Sequence, residues 1–192
     1  MKSSNNSKIF ISHRSSDGAI ANALFDFFVA TGISRDKIFC SSLPGNDVKE
    51  KISAEVKETM NNSCLNIAIL SDEYYKSAYC LNEAGILWFQ DIPVIPIALP
   101  EIQPTDMIGF LNDDYKIRRL DNADDIAYIY DTVCAASTSK QAKASVVTAE
   151  TRKIIIKYQQ LISTRTYLQN PTTEVSLSIT TDDERIVLYY LI

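Results

Sequence analysis

Short apolar runs alternate along this chain with stretches whose apolar residues recur every three or four positions. Lys8-Ile9-Phe10-Ile11-Ser12 is the first run, closed by the polar loop His13 to Gly18, and it reads as a buried strand. Ile20, Leu24, Phe27 and Phe28 then follow at helical spacing over residues 19–31, with Asp17 as the expected N-cap and Gly32 as the stop. Ile38-Phe39-Cys40 predicts a second strand. The loop Ser41-Ser42-Leu43-Pro44-Gly45-Asn46 is punctuated by Pro-Gly, and Asp47 caps a helix with Val48, Ile52, Val56 and Met60 on one face. Residues 64–70 predict the third strand. A polar turn, Ser71-Asp72-Glu73, leads into a helix that runs to about Phe89. Pro93 to Leu99 reads as a fourth strand, kept short or at an edge by its two prolines. Lys116 to Leu120 reads as a fifth, and Asp121 or Asn122 starts a helix with Ile126, Ile129, Tyr130 and Val133 on its apolar side.

Five alternations of strand and helix imply right-handed crossovers and a five-stranded parallel sheet with helices on both faces. The expected architecture is flavodoxin-like over residues 7–137, behind a polar, disordered leader at residues 1–6. Residues 138–192 read as a linker and a C-terminal helical or α+β extension. Ala149 to Arg165 has helical character, and Thr173 to Ile179 alternates like a strand. Thr181-Asp182-Asp183-Glu184 is a capping-box start. The helix it opens ends on apolar residues without a C-cap, so the chain is expected to be a fragment of a longer protein that starts a further module there.

Composition narrows the function classes. Nineteen basic residues against 24 acidic ones, with no basic block, disfavour a nucleic-acid groove. No apolar run approaches the roughly 18 residues of a membrane span, so no membrane partner is expected. Cys40, Cys64, Cys80 and Cys134 are widely spaced and there is one histidine, so no metal site of the common Cys/His kind is expected. Free thiols fit a reducing, cytoplasmic setting.

The chemistry concentrates at Ser77-Ala78-Tyr79-Cys80-Leu81-Asn82-Glu83-Ala84-Gly85. This helix opens beyond the carboxyl end of the third strand, the edge at which open parallel α/β sheets bind ligands. Tyr79, Cys80 and Glu83 share a helix face, at spacings of three and four. The loop Ser12-His13-Arg14 should lie alongside, because strand one should neighbour strand three.

Several of these residues resemble the Toll/interleukin-1 receptor (TIR) domain family, and its bacterial branch most closely. Ile9 to Asp17 resembles the family's opening box. Phe39 to Gly45, followed by Val48 and Ile52, resembles its second strand and BB loop. Leu70 to Tyr75 and Ser77 to Glu83 resemble its third box, with an aromatic, a cysteine and a glutamate three residues later. The likeness runs in order over residues 7–137 and leaves the rest uncovered. It implies cleavage of the nicotinamide–ribose bond of NAD⁺, giving nicotinamide and ADP-ribose or a cyclic ADP-ribose signal in anti-phage defence. NAD⁺ is then a substrate, and no cofactor is expected. The family's catalytic glutamate falls on Glu83. Ser12, His13, Arg14, Ser42, Leu43, Tyr79 and Cys80 are the expected substrate contacts, with Arg14 and the loop amides on the diphosphate. Self-association is expected through the BB loop around Gly45, with an effector or sensor as further partner.

One carboxylate is chemically sufficient for this reaction. Nicotinamide leaves as a neutral molecule without acid assistance, and a carboxylate near the ribose stabilises the oxocarbenium-like transition state. Plainer readings stand beside the functional ones. Glu83 can be a solvated residue near a helix start, Cys80 a small buried hydrophobe, Tyr79 a core residue, and His13 and Arg14 loop polars. Trp88 reads as core and Gly85 as a site of close helix packing. The competing function is a non-catalytic TIR interaction module, which Glu83 disfavours. A deoxyribosyltransferase-like enzyme is disfavoured by the pattern around Gly45. A receiver domain is excluded because Ser12-His13 and Ser71-Asp72 stand where its acidic pair and phospho-acceptor would be.

Overall fold

The computed structural model of the protein describes residues 8–40, 58–112 and 115–169. Among the described residues four parallel strands form one sheet in the order β2-β1-β3-β4: β1 Lys8–Ser12, β2 Ile38–Cys40, β3 Ser63–Leu70 and β4 Val94–Ala98. Helix α1 (Gly18–Ala30) follows β1, and a helical turn at residues 58–61 precedes β3. The short α2 (Asp72–Tyr75) and then α3 (Ala78–Phe89) connect β3 to β4. Helices α4 (Ala123–Ala136) and α5 (Ala144–Gln169) complete the described chain. The strand order is that of a flavodoxin-like sheet.

Alternation along each strand divides the core in two. Ile9, Ile11, Ile67, Ile69, Ile95 and Ile97 face one way and pack with Leu24, Phe25 and Phe28 of α1 and Ile126, Ile129 and Val133 of α4. Ala68, Leu70 and Ala98 face the other way, toward Tyr74, Cys80 and Ala84 of α2 and α3. Phe10, Phe39, Met60 and Leu87 form a small cluster, with the Phe10 and Phe39 rings stacked at 5.6 Å. Because side chains alternate, Ser12 shares the face of Phe10 and is directed at α3.

The expected fifth strand contracts to a single parallel bridge, Ile97 to Arg118. Its two bonds run from Ala98 N to Arg118 O and from Arg118 N to Pro96 O. The next bond toward the strand start would need an N–H on Pro96, which proline lacks. At the other end the Ala98 carbonyl accepts from the Arg119 guanidinium. Pro96 thus stops the ladder toward the strand start, and among the described residues one bridge remains on the outer side of β4.

Gly32, at φ +92°, stops α1 as expected, and Asn122 caps α4 by accepting from the amides of Asp124 and Asp125. Asp17 is the N-cap residue of α1 by position, but its side chain caps nothing. It is buried instead in an ion pair with Arg165. Helix α5 extends the expected 149–165 segment in both directions. Past the expected boundary at residue 137, Ile154 and Tyr158 of α5 join the core shared with α1 and α4. Trp88, expected in the core, is 52% exposed. It stacks on Phe110 at 4.6 Å, outside the helix. None of the four cysteines takes part in a disulfide. Among the described residues no helix is long and apolar enough to cross a membrane. The expected helix from Asp47, and the elements expected after residue 170, lie wholly or largely outside the described residues.

Candidate functional site

Strand β1 pairs directly with β3, with Ser12 in register with Ala68, so the loops that leave their carboxyl ends are neighbours. The link after β3 is a helix where a turn was expected. Ser71 caps α2 by accepting from the Tyr74 amide at 3.1 Å, and Ser77 caps α3 by accepting from the Cys80 amide at 3.3 Å. Two caps six residues apart therefore fix where α3 begins. Its packed face comprises Cys80, Glu83, Ala84 and Leu87. A carboxylate stands in an otherwise apolar stripe, against the sheet face that carries Ser12.

Glu83 is only 8% exposed. Ser12 Oγ donates to its Oε2 at 3.3 Å. The Tyr74 hydroxyl is 3.0 Å from Ser12 Oγ. Since Ser12 has one proton and gives it to Glu83, Tyr74 donates to Ser12. Burial pushes the Glu83 carboxyl up to about 7, against hydrogen bonds from Ser12 and Tyr79 that favour the charged form. Tyr79 is half-exposed, at 48%. Burial of its hydroxyl and the neighbouring Glu83 charge push its phenol up to about 12. The site thus pairs a buried carboxylate poised near neutrality with an exposed aromatic one helical turn before it.

The His13 ring is buried and its Nδ1 donates to Ile11 O at 3.2 Å. Burial lowers its pKa, so it is a neutral imidazole at pH 7. Arg14 is exposed at the rim, close enough for its charge to act on Glu73 and Cys80. The Cys80 thiol is buried, 3.9 Å from His13 O, and burial raises its pKa. It packs as a small hydrophobe and ties α3 to the β1 loop. The structure therefore brings Ser12, His13, Tyr79, Cys80 and Glu83 together. Ser42 and Leu43 lie outside the described residues, as does Gly45.

Three residues with a part in this site were not singled out by sequence reasoning. Tyr74 is fully buried and supplies the phenol behind Ser12. Ser71 donates to Asp17 Oδ2 at 2.6 Å. Arg165 Nη1 lies 2.5 Å from Asp17 Oδ1 while its Nη2 lies 3.0 Å from Glu101 Oε1. The serine-then-acid pattern of Ser71-Asp72-Glu73 was a readable cap signal. Nothing local connects Asp17 to a residue 148 positions later. Among the described residues no group of three or more His, Cys, Asp or Glu could hold a metal ion.

The chain is 37% identical over 83 residues to the uncharacterized protein YddK of Bacillus subtilis, covering 42% of this chain and 31% of that one. It is 30% identical over 103 residues to the probable 2′ cyclic ADP-D-ribose synthase BdTIR of Brachypodium distachyon, covering 53% and 44%. The matched part thus spans less than half the length of either relative. The family model for the TIR domain matches residues 9–131, more than half of the chain and every strand of the sheet, and the protein belongs to the TIR domain family.

Proposed function

We propose that this TIR domain is an NAD⁺ glycohydrolase whose catalytic carboxylate is Glu83. The observation that carries this reading is the buried Glu83, held by Ser12 and Tyr79 at the carboxyl edge of a parallel sheet. The name of the Brachypodium relative, a probable cyclic ADP-D-ribose synthase, supports the same chemistry.

In the proposed reaction the C1′–N bond of the nicotinamide riboside breaks and its electron pair leaves with neutral nicotinamide. The ribose is left with oxocarbenium character, which the Glu83 carboxylate stabilises at close range in a water-poor setting. A water oxygen then bonds to C1′ and loses its proton, giving ADP-ribose. A hydroxyl of the same molecule attacking instead gives a cyclic product. Tyr79 stacks on or flanks the departing ring. Arg14 and the amides of the β1 loop hold the diphosphate, with Ser42 and Leu43 opposite. Self-association around Gly45, an effector or sensor partner, a cytoplasmic setting and a role in anti-phage defence complete the proposal.

The test is incubation of concentrated protein with NAD⁺ and product analysis by chromatography and mass spectrometry, beside Glu83→Gln. Nicotinamide from the parent and none from the variant is the expected result. Equal release from both removes Glu83 from the chemistry. A second reading, a TIR interaction module, is favoured by the exposed Ile86, Trp88, Phe89 and Phe110. It takes the lead if the clustered parent releases no nicotinamide.

A further inference from the structure

The carboxyl edge of the sheet holds a second polar feature, and its far end lies outside the part matched to the family. Arg165 projects from the last turns of α5, and its guanidinium forks between two carboxylates. Nη1 meets Asp17, in the loop after β1, and Nη2 meets Glu101, in the loop after β4. The Asp17 side chain is fully buried, and its second oxygen accepts from Ser71, the residue directly after β3. One arginine therefore ties together the exits of three strands.

The contacts continue to the site. Ser71 Oγ gives its proton to Asp17 and accepts from the Tyr74 amide. This sets the first turn of α2 and so the position of the Tyr74 ring, whose hydroxyl donates to Ser12. Ser12 donates to Glu83. Every proton in this series has one acceptor: Arg165 and Ser71 on Asp17, Tyr74 on Ser12, Ser12 on Glu83. Buried groups arranged in this way hold one another in a single orientation.

We propose that Arg165 is a positioning residue for Glu83, acting through Asp17, Ser71, Tyr74 and Ser12, and that α5 is thereby a working part of the site. The proposal rests on the reading of Glu83 as the catalytic carboxylate for its kinetic consequence alone; the structural coupling stands apart from it. Without Arg165, Asp17 is a buried carboxylate lacking its counter-charge, and it draws water into the space beside Ser71. The cap on α2 then loosens, and Ser12 no longer presents its proton to Glu83. Lysine offers a point charge and not a fork, so it can serve Asp17 or Glu101 but not both in the same geometry.

The experiment compares the parent chain with Arg165→Ala, Arg165→Lys and Ser71→Ala. Two readouts are taken: kcat and KM for nicotinamide release, and the titration midpoint of the Glu83 carboxyl by ¹³C NMR on glutamate-labelled protein. Ser12 and Tyr79 donate to that carboxyl, and Tyr74 and Cys80 are the other titratable neighbours sensing its charge. The expected result is a fall in kcat of several-fold, up to about the tenfold expected for loss of the Ser12 hydroxyl itself, in Arg165→Ala, with KM nearly unchanged. Arg165→Lys recovers part of the loss. The Glu83 midpoint rises in both Arg165→Ala and Ser71→Ala. Ser71→Ala removes no charge, so a rise there cannot be the long-range field of the lost guanidinium.

An unshifted midpoint in folded Ser71→Ala overturns the proposal, as does an unshifted midpoint in folded Arg165→Ala. If Arg165→Ala does not fold, Arg165→Lys and Ser71→Ala decide. The titration requires no turnover. A parent that releases no nicotinamide therefore refutes the enzymatic reading while the midpoints still decide the coupling.

Discussion

Ser12 Oγ, at the last residue of β1, donates to Glu83 Oε2 on α3 across 3.3 Å. Behind it stands the Tyr74 hydroxyl, fully buried, with Ser12 as its partner. Removing the serine hydroxyl has two consequences. Glu83 loses a bond that favours its charged form, and Tyr74 is left with a buried donor. Ser12→Ala is therefore expected to lower NAD⁺ cleavage by about tenfold and stability by about 1–3 kcal/mol. Tyr74→Phe keeps the Ser12 donor free for Glu83 and is expected to cost less activity. Steady-state rates and denaturant unfolding of the two variants check this order. A Tyr74→Phe variant slower than Ser12→Ala would contradict it.

The carboxylate is the form that stabilises positive charge at C1′. With Glu83 pushed up to about 7 by burial, the proposed reaction would find both its charged and its protonated form at neutral pH. The kcat/KM for NAD⁺ is expected to rise from pH 5 to 8, with its midpoint near 7, because that ratio reports ionisations of the free enzyme. The cationic nicotinamide ring favours the carboxylate once bound, so the kcat profile should turn at lower pH than kcat/KM. A pH–rate series with NAD⁺ measures both. A kcat/KM profile that falls over this range would assign the active form to the protonated acid.

The same burial has a stability consequence of opposite sign. The folded state holds the Glu83 proton more tightly than the unfolded chain, whose carboxyl titrates near the ordinary 4.5. This contribution is fully present below pH 4.5 and is lost as pH rises through about 7. The loss has an upper bound of about 3.4 kcal/mol, since each pKa unit is about 1.36 kcal/mol. Glu83→Gln carries no such penalty. Its Tm should match the parent at pH 4 and exceed it by several degrees at pH 8. Calorimetry at the two pH values decides, and a constant difference would indicate that Glu83 is not the group whose ionisation opposes folding.

How far the chain announces its own structure varies with the range of the interaction. The periodicity of residues 9–11, 20–28 and 126–133 carries the sheet and its helices, because alternation and helical spacing are local consequences of burying one face. The neighbouring of β1 and β3 follows from the parallel order, and with it the meeting of Ser12 and Glu83. The fifth strand failed for a reason visible in the residues, the missing N–H of Pro96, which acts only once a partner strand must bond to it. Trp88 misled because an aromatic four residues after Ala84 fits a core stripe. The helix turns it outward, and its partner, Phe110, comes from the loop after β4. Asp17 misled in the same way. Its place before α1 is that of a cap, but its bonds go to Ser71 and Arg165, and no local pattern encodes a partner so remote.

Gly85 offers a direct test of how Trp88 and Phe110 are held. A Cβ added there would lie 3.0 Å from the Phe110 ring, closer than an aromatic edge tolerates. The ring is half-exposed and can move aside, so the contact yields at modest cost. Alanine within a helix gains roughly 0.5–1 kcal/mol over glycine, which offsets that cost. Gly85→Ala is therefore expected to leave overall stability within about 1 kcal/mol of the parent while shifting Phe110 off Trp88. Trp88 is the single tryptophan of the chain, so its emission reports the displacement without interference. A changed emission maximum with a near-constant unfolding midpoint is the expected pair of results. Unchanged emission would mean that Phe110 does not need the space Gly85 leaves, and that the stacked pair is held by the loop after β4 alone.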